Sequence, residues 1–492
     1  MKPLSKIYPF YLYFFLFTLA FLFSCGEDTM IEEMEEEEIP TFAVDIGNST
    51  IPYLVISTNN SQIKNEPKIP ATLKIYQNQQ LIHDLNIGIE YRGSTSFRLS
   101  DKKSFGIETW DENGMDIDVS ILGLPEEEDW ILNGHVVNLD DQYIFDRTML
   151  YNHFGYTLSN QIGKYASRTK LVEIELNGNY QGVYVFMEKL KRDNNRIDIA
   201  TLRREENDLE NITGGYILKI DKTAGGDLGL QQPLEYFENN WADDARYTEN
   251  IGFRSNYDIY GMPMRFEPYG EPYHDQMYLE TYFLYEYPDH ETISDQQKSY
   301  IQNYIDDFET ALLTDDFSTN TRTYTDYMDM ESFVDYFLLN EVCRNIDGYR
   351  LSTYLQKDKG GKLNMGPIWD LNIGFDTNDR VPRNDWVINY NNYVQRDAWM
   401  MPFWWPRLME DPMFKNTVKS RWQSLRSGPM GTSNLHAIVD AGANLLEQNG
   451  AIERNYILWD IGISVDYDAS IKSLKDYLTE RTQWMDSEIG SF

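Results

Sequence analysis

Hydrophobic and polar residues alternate in several short runs of the first half of the chain, and this pattern predicts β-strands. Two such runs at 172–176 and 182–187 are joined by Asn177-Gly178, a dipeptide typical of a hairpin turn. Apolar residues at helical spacing predict one amphipathic helix at 145–162. We therefore predict that residues 49–220 form a mainly β lobe, with further strands at 51–57, 71–77, 87–91, 104–108 and 216–220.

The second half of the chain has the longer apolar spacing of helices. Ser294 and Gln297 form a capping-box pattern at the start of one such run. Between two of the helices, the segment 344–376 predicts a short hairpin with a strand at 351–356 and a second strand that ends at Asp370. We expect residues 221–492 to form a mainly helical lobe, so the predicted fold class is α+β. The other predicted helices lie at 330–344, 408–427, 435–448 and 470–488.

The N-terminus has the pattern of a secretory signal. Lys2 and Lys6 precede an apolar run at 7–23, which is short for a membrane-spanning helix. The following Ser24-Cys25 completes a segment that resembles the bacterial lipobox, which implies cleavage of residues 1–25 and acylation of Cys25. We expect the protein to be lipid-anchored in the cell envelope, at the outer membrane, and to be periplasmic or surface-exposed. The alternatives are an ordinary cleaved signal and a cysteine of the core.

Charge and cysteine content narrow the class of protein further. The formal net charge of −36 argues against nucleic acid as a partner. Residues 26–48 include the run Glu35 to Glu38, and such dense like charge predicts a flexible acidic spacer. Cys343 is the only other cysteine and has no mate once Cys25 is lipidated, so a packed core must stabilise the domain without disulfides.

Two aspartates of the segment 344–376 are candidates for chemistry. Asp347 is predicted in a loop after a helix, and Asp370 lies 23 residues later at the end of the predicted hairpin. Phosphoryl transfer needs one carboxylate to position the acceptor hydroxyl and another to hold magnesium on the phosphates. A tight hairpin can bring both residues to one cleft. The alternative is that each aspartate only caps a turn.

A set of short motifs, in order along residues 90–376, resembles the spore-coat protein H (CotH) kinase family, whose members are atypical relatives of protein kinases. Residues 404–426 are similar to the C-terminal helices of that family. The resemblance implies a kinase-like fold with a β-rich and a helical lobe. The motifs are Tyr91-Arg92-Gly93-Ser94-Thr95-Ser96, Lys102-Lys103-Ser104-Phe105, Ile121-Leu122-Gly123-Leu124-Pro125 with Asp129-Trp130, the run from Asn177 to Tyr184 continuing into Glu188-Lys189, Asn345-Ile346-Asp347 and Trp369-Asp370-Leu371-Asn372.

The resemblance implies ATP and Mg²⁺ (or Mn²⁺) as cofactors, with Asp347 as the base for the acceptor hydroxyl and Asp370 as the metal ligand. It also implies that Lys102 or Lys103 contacts the phosphates. Strand alternation lets only one of these two side chains face the cleft, and the sequence leaves open which one. Glu188 could pair with that lysine.

The roles of three further residues are left open by the resemblance. Arg92 beside Gly93 could cover the phosphates, or it could be a surface residue of a turn. Protein kinases have an asparagine as second metal ligand five residues after the base, and this chain has Ser352 there. The family often has a carboxylate two residues after the metal aspartate, and this chain has Asn372. Both are neutral oxygen ligands, so weak activity, a changed metal preference and a pseudokinase are all open.

Taken together, the sequence predicts a CotH-like kinase that transfers phosphate from ATP to a Ser or Thr hydroxyl of an exported or surface protein. The alternative is a non-catalytic surface lipoprotein, an adhesin or assembly factor, that uses the same scaffold for binding.

Overall fold

The structure is a computed structural model that describes residues 40–223, 241–319, 322–377, 379–460 and 465–492. Cys25 and the acidic run at 35–38 lie outside the described residues, so the predicted signal and lipidation stay predictions. In the part of the chain that the structure describes, none of the helices is both long enough and apolar enough to span a membrane.

The first half folds into a closed barrel in which the strand order is β1-β2-β3-β4-β5-β9-β8. Neighbouring strands are antiparallel except β1 and β8, which close the barrel as a parallel pair. A small pair, β6 and β7, and two helices, α1 and α2, lie along the same part of the chain. The elements are β1 (Tyr53–Ser57), β2 (Ile69–Gln77), β3 (Gln80–Arg92), α1 (Thr95–Leu99), β4 (Ser104–Trp110), β5 (Asp129–Gly134), β6 (Val137–Asn138), β7 (Tyr143–Ile144), α2 (Tyr151–Gln161), β8 (Thr169–Leu176) and β9 (Asn179–Glu188).

The alternation seen in the sequence separates the two faces of the barrel. Leu54, Ile89 and Phe186 belong to a cluster of buried side chains inside the barrel. Ile131 on β5 and Met187 on β9 also come from barrel strands but belong to the main core, which is shared with the second half of the chain. Because the barrel is apolar on both faces at these strands, the second half must pack against it to bury the outer face.

The folded part begins earlier than predicted. Phe42 packs against Tyr53 with ring centroids 4.6 Å apart, and Ile46 is buried against the barrel. The Ala43 N–H donates to the Glu175 carboxylate at 2.7 Å. Residues 42–46 are therefore part of the folded unit, which starts at Thr41, and not part of an acidic spacer that extends to 48.

The second half combines an antiparallel sheet with helices, which confirms the α+β class. Its strands, among the described residues, form a sheet in the order β11-β12-β10-β13-β14. The strands are β10 (Tyr216–Ile220), β11 (Gly252–Arg254), β12 (Tyr282–Tyr287), β13 (Thr353–Lys357) and β14 (Leu363–Met365). The helices are α3 (Asp295–Thr314), α4 (Met330–Cys343), α5 (Tyr390–Tyr393), α6 (Trp404–Leu408), α7 (Pro412–Arg426), α8 (Thr432–Gln448), α9 (Ala451–Leu458) and α10 (Tyr467–Gly490).

Two element boundaries differ from the prediction for identifiable reasons. The helix predicted at 145–162 begins only at Tyr151, because the Asp146 carboxylate accepts hydrogen bonds from the N–H groups of Thr148 and Tyr151 and closes a turn there. The strand predicted to end at Asp370 ends at Met365, before Pro367, which has no N–H to donate to the sheet. Asp370 therefore lies in the loop that follows the hairpin.

Candidate functional site

A cavity of about 420 Å³ lies between the barrel and the second sheet. On the barrel side, its wall includes Arg92 at the end of β3 and Ile107 and Ile131 on β4 and β5. On the opposite side, the wall comes from the loops at 347–352 and 369–373, which flank the β13–β14 hairpin. Both aspartates singled out in the sequence thus line one cavity.

Asp347 lies in the loop that follows α4. The helix ends at Arg344, which has the left-handed backbone conformation (φ 47°), and the chain then turns toward the cavity. The Arg350 guanidinium donates to Asp347 Oδ1 at 2.7 Å and also to the Trp399 carbonyl at 2.8 Å. Among the described residues, no group donates a hydrogen bond to Asp347 Oδ2. One oxygen is thus fixed in place, and the other can accept a proton or a hydrogen bond from a ligand.

Asp370 is fixed in a left-handed backbone conformation (φ 52°). Its N–H donates to the Tyr156 hydroxyl at 3.1 Å, and its Oδ1 accepts from the Asn372 amide at 2.6 Å. Burial raises the pKa of Asp370, and the nearby carboxylates of Asp347 and Asp221 raise it as well. Together these effects bring the pKa to about 6. A positive charge placed beside these oxygens would stabilise the ionised form.

The side chain of Asn152 on α2 fixes the loop that carries Asp370. Its Oδ1 accepts from the Leu371 N–H at 2.8 Å, and its Nδ2 donates to Asn372 Oδ1 at 3.1 Å. Asn372 in turn donates to Asp370, so Asn152 orients the carboxylate through one intermediate residue. Sequence reasoning missed Asn152, because it lies more than 200 positions before the loop and no local pattern marks it.

A third carboxylate, Asp221, also lines the cavity and was missed. It directly follows β10, and its carboxylate accepts hydrogen bonds from the N–H groups of Lys222 at 2.9 Å and of Ser352. Ser352 itself lines the cavity wall. The signal that could have found Asp221 is an aspartate directly after a strongly apolar strand, the same type of signal that drew attention to Asp370.

Arg92, which was expected either to cover the phosphates or to be a surface residue of a turn, lies in the cavity wall. Its guanidinium is 5.8 Å from the centroid of the Trp369 ring, next to Asp370. No carboxylate of the described residues lies within ion-pair distance of it. This guanidinium is thus available to an anionic ligand near Asp370.

The structure places neither Lys102 nor Lys103 in the cavity wall. Lys102 is 2% exposed, and its Nζ donates to the Val183 carbonyl at 2.5 Å and to Asn455 Oδ1 at 3.0 Å. Burial lowers its pKa to about 7. The Lys103 Nζ donates to the Phe97 carbonyl at 2.7 Å. Lys102 therefore connects the barrel to α9, and we do not assign either lysine to the phosphates.

Glu188 is not paired with either of these lysines. Its carboxylate is fully buried and lies 2.7 Å from the guanidinium of Arg168. The register of β8 and β9 explains the pairing, because Thr169 opposite Met187 brings Arg168 beside Glu188. This ion pair stabilises the barrel outside the cavity wall, so the suggested role of Glu188 in pairing a phosphate-binding lysine is wrong.

Other lysines do line the cavity, and two of them are each close to a glutamate. Lys68 Nζ is 3.5 Å from Glu90 on the barrel side. Lys219 Nζ on β10 is 3.3 Å from Glu286 on β12. These pairs join residues that are far apart in the sequence, and no local pattern predicts them.

An acidic cluster at the edge of the barrel includes Asp129, which also lines the cavity. Oxygens of Glu127, Glu128 and Asp129 lie within 4.8 Å of one another, a spacing that could hold a metal ion. The Lys191 ammonium contacts all three carboxylates, at 2.6, 2.6 and 2.9 Å. The lysine thus supplies the positive charge at this position, and we assign no metal to the cluster.

The residues of the cavity fit a nucleotide and a divalent cation. A volume of about 420 Å³ is within the usual range for a small-molecule site. The oxygen donors of Asp370, Asp221 and Asn372 are the type that Mg²⁺ and Mn²⁺ prefer, and Arg92 adds a guanidinium suited to phosphate.

Two comparisons with known proteins bear on this site. No curated protein matches the chain. The family model described as CotH kinase protein matches residues 89–485, which include the barrel from the end of β3 onward, most of the residues that line the cavity and most of the C-terminal helices. Because the match covers most of the chain and contains both Asp347 and Asp370, the protein belongs to the CotH kinase family.

Proposed function

We propose that the protein is an ATP- and Mg²⁺-dependent kinase that phosphorylates a Ser or Thr hydroxyl of an exported or surface protein. The observation that carries the proposal is the placement of Asp347 and Asp370 on one cavity wall in a member of the CotH kinase family. In this interpretation, the barrel is the N-terminal lobe of a kinase-like pair, and the second sheet with its helices is the C-terminal lobe.

The chain's own residues can perform the proton and positioning steps. The acceptor oxygen forms a bond to the γ-phosphorus, the bond from that phosphorus to the β–γ bridging oxygen breaks, and ADP leaves. Asp347 Oδ2 takes the hydroxyl proton, while Arg350 holds the carboxylate through Oδ1. Asp370, oriented by Asn372, would hold the metal, and Arg92 would contact the phosphates. When bound, the metal ion neutralises the charge that develops on the phosphate oxygens.

Transfer of label from γ-labelled ATP tests this proposal. The purified protein is incubated with Mg²⁺ or Mn²⁺ and an extract of envelope proteins, beside the variants Asp347→Ala and Asp370→Ala. We expect label on the protein itself or on an envelope protein, and a loss of at least about 100-fold in both variants. A wild-type protein that neither binds nucleotide nor transfers label would instead support the non-catalytic alternative.

We also propose that the protein is exported and lipid-anchored through Cys25 at the outer membrane, facing the periplasm or the cell surface. The support is the basic, apolar and small-residue order of residues 2–25. Metabolic labelling with a radioactive fatty acid should mark the wild type and not a Cys25→Ser variant. Equal labelling of both proteins would refute the anchor. ATP is scarce outside the cytosol, so an exported kinase would act during export or use another phosphate donor.

A further inference from the structure

Asp221 is placed beside Ser352 by the register of the second sheet. β10 and β13 are antiparallel, and Ile220 is opposite Thr353, so the residues just beyond this pair, Asp221 and Ser352, lie next to each other. The Ser352 N–H donates to the Asp221 carboxylate, and the Tyr247 hydroxyl donates to the Asp221 carbonyl at 2.7 Å. The side chain and the backbone of Asp221 are therefore both held in place at the cavity wall.

This position is the one where a protein kinase would have its second metal ligand. Protein kinases supply an asparagine from the catalytic loop, and this chain has Ser352 at the corresponding place. Ser352 uses its N–H to hold Asp221, a carboxylate that comes from another strand. A carboxylate is a stronger ligand for Mg²⁺ or Mn²⁺ than the amide it would replace.

The charges around Asp221 and Asp370 are consistent with a cation between them. Asp221 is close enough to Asp370 to interact with it electrostatically. Lys219 Nζ is 3.9 Å from Asp221, but it lies closer to Glu286, at 3.3 Å. Among the described residues, no lysine or arginine forms an ion pair with Asp370. Asp370 thus has no ion-pair partner among the described residues, and Asp221 shares its nearest lysine with Glu286.

We propose that Asp221 is a second carboxylate ligand of the divalent cation held by Asp370, at the place where Ser352 offers only a neutral hydroxyl. The proposal rests on the proposed function, since it concerns the metal of the same nucleotide site. It also explains how the chain can depart from the kinase pattern at 352 and still offer two anionic ligands.

Binding of Mn²⁺, followed by electron paramagnetic resonance in the presence of a non-hydrolysable ATP analogue, tests the proposal without a turnover assay. The variant Asp221→Asn keeps an oxygen that can accept from Ser352 and Lys222 but removes the negative charge. We expect its Kd for Mn²⁺ to rise at least tenfold. The control Glu90→Gln removes one negative charge from the barrel side of the same cavity, and its Kd for Mn²⁺ should change less than threefold.

A second variant gives a direct signature of ligation. Asp221→Cys should bind Cd²⁺ with a thiolate-to-metal absorption band that is absent in the wild type, whose two cysteines are unchanged. Kd values for Mn²⁺ within threefold of each other for wild type and Asp221→Asn would overturn this proposal and leave the kinase proposal in place. Weaker binding of the analogue by Asp221→Asn in the absence of metal would also overturn it, and would make Asp221 a nucleotide contact. If the wild type binds no Mn²⁺ with the analogue, both proposals fail.

Discussion

The Glu309 carboxyl group provides a stability prediction with a definite sign. It lies on α3, is 1% exposed, and accepts hydrogen bonds from the Ser255 hydroxyl at 2.7 Å and the Trp404 indole N–H at 2.8 Å. Burial raises its pKa to about 8 from the usual value of 4.5. Between these two pH values, the folded protein keeps a proton that the unfolded chain has released. Stability therefore falls as the pH rises from about 5 to 8 and levels off above pH 8.

The size of the effect follows from the pKa difference. Each unit of pKa shift corresponds to about 1.4 kcal/mol, so ionisation of Glu309 removes roughly 3 to 5 kcal/mol of folding free energy by pH 8. In Glu309→Gln, the amide oxygen can accept from Trp404 and the amide N–H can donate to Ser255. The variant thus keeps both contacts and loses the titration.

Thermal unfolding of wild type and Glu309→Gln at pH 5, 6, 7 and 8 measures the difference. For a folded unit of this size, an entropy of unfolding near 0.9 kcal/mol per kelvin converts about 3 kcal/mol into a midpoint difference of roughly 3 °C at pH 8. We expect almost no difference at pH 5. The exposed residue Glu205 supplies the control, and Glu205→Gln should show no trend with pH. A midpoint difference for Glu309→Gln that is the same at all four pH values would refute the reasoning.

Three substitutions around the cavity have different expected signatures. Arg92→Gln should raise the KM for ATP by about 10- to 100-fold, because a charged hydrogen bond to phosphate contributes about 1.5–3 kcal/mol; an unchanged KM would remove Arg92 from the site. Lys102→Met should lower the unfolding temperature, since the hydrogen bond from Lys102 to Asn455 is lost. Its KM for ATP should stay within twofold of the wild type. A KM effect as large as that of Arg92→Gln would contradict the placement of Lys102 outside the cavity wall. Asn152→Ala should weaken Mn²⁺ binding about 10- to 100-fold by releasing the Asp370 loop, and wild-type affinity would show that the loop needs no such support.

Much of the fold follows from short-range signals. The Asn177-Gly178 hairpin, the strand at Tyr216–Ile220 and the capping box of Ser294 and Gln297 are all found as predicted. Each depends on residues within about ten positions of one another, so the sequence alone carries the information. The meeting of Asp347 and Asp370 at one cavity was predictable for the same reason, because a single short hairpin separates them.

The rest of the site depends on contacts between distant segments. Lys102 and Lys103 both precede β4, so the alternation rule that was meant to choose between them does not apply to either side chain. Glu188 was expected to pair with one of them, but strand register gives it Arg168 instead. Asp221 reaches the cavity through the pairing of β10 with β13, whose partners are more than 130 positions apart. No local pattern contains such information.

The electrostatics of the cavity wall separate the kinase from the non-catalytic alternative. With neutral residues at 352 and 372, this part of the wall still has a group of neighbouring carboxylates, because Asp221 joins Asp347 and Asp370. Asn372 orients one of them. Burial and repulsion from the carboxylates of Asp347 and Asp221 raise the pKa of Asp370, so its ionised form is unfavourable in the folded protein unless a cation binds beside it. A cavity that only contacts a protein or a glycan gains nothing from such repulsion. In a site for a metal–nucleotide complex, the bound cation offsets the repulsion between the carboxylates. Relief of this repulsion strengthens the binding of the cation. The electrostatics of the cavity wall therefore favour the proposed kinase function over the non-catalytic alternative. They also predict that this function requires a metal ion, although residues 352 and 372 are neutral.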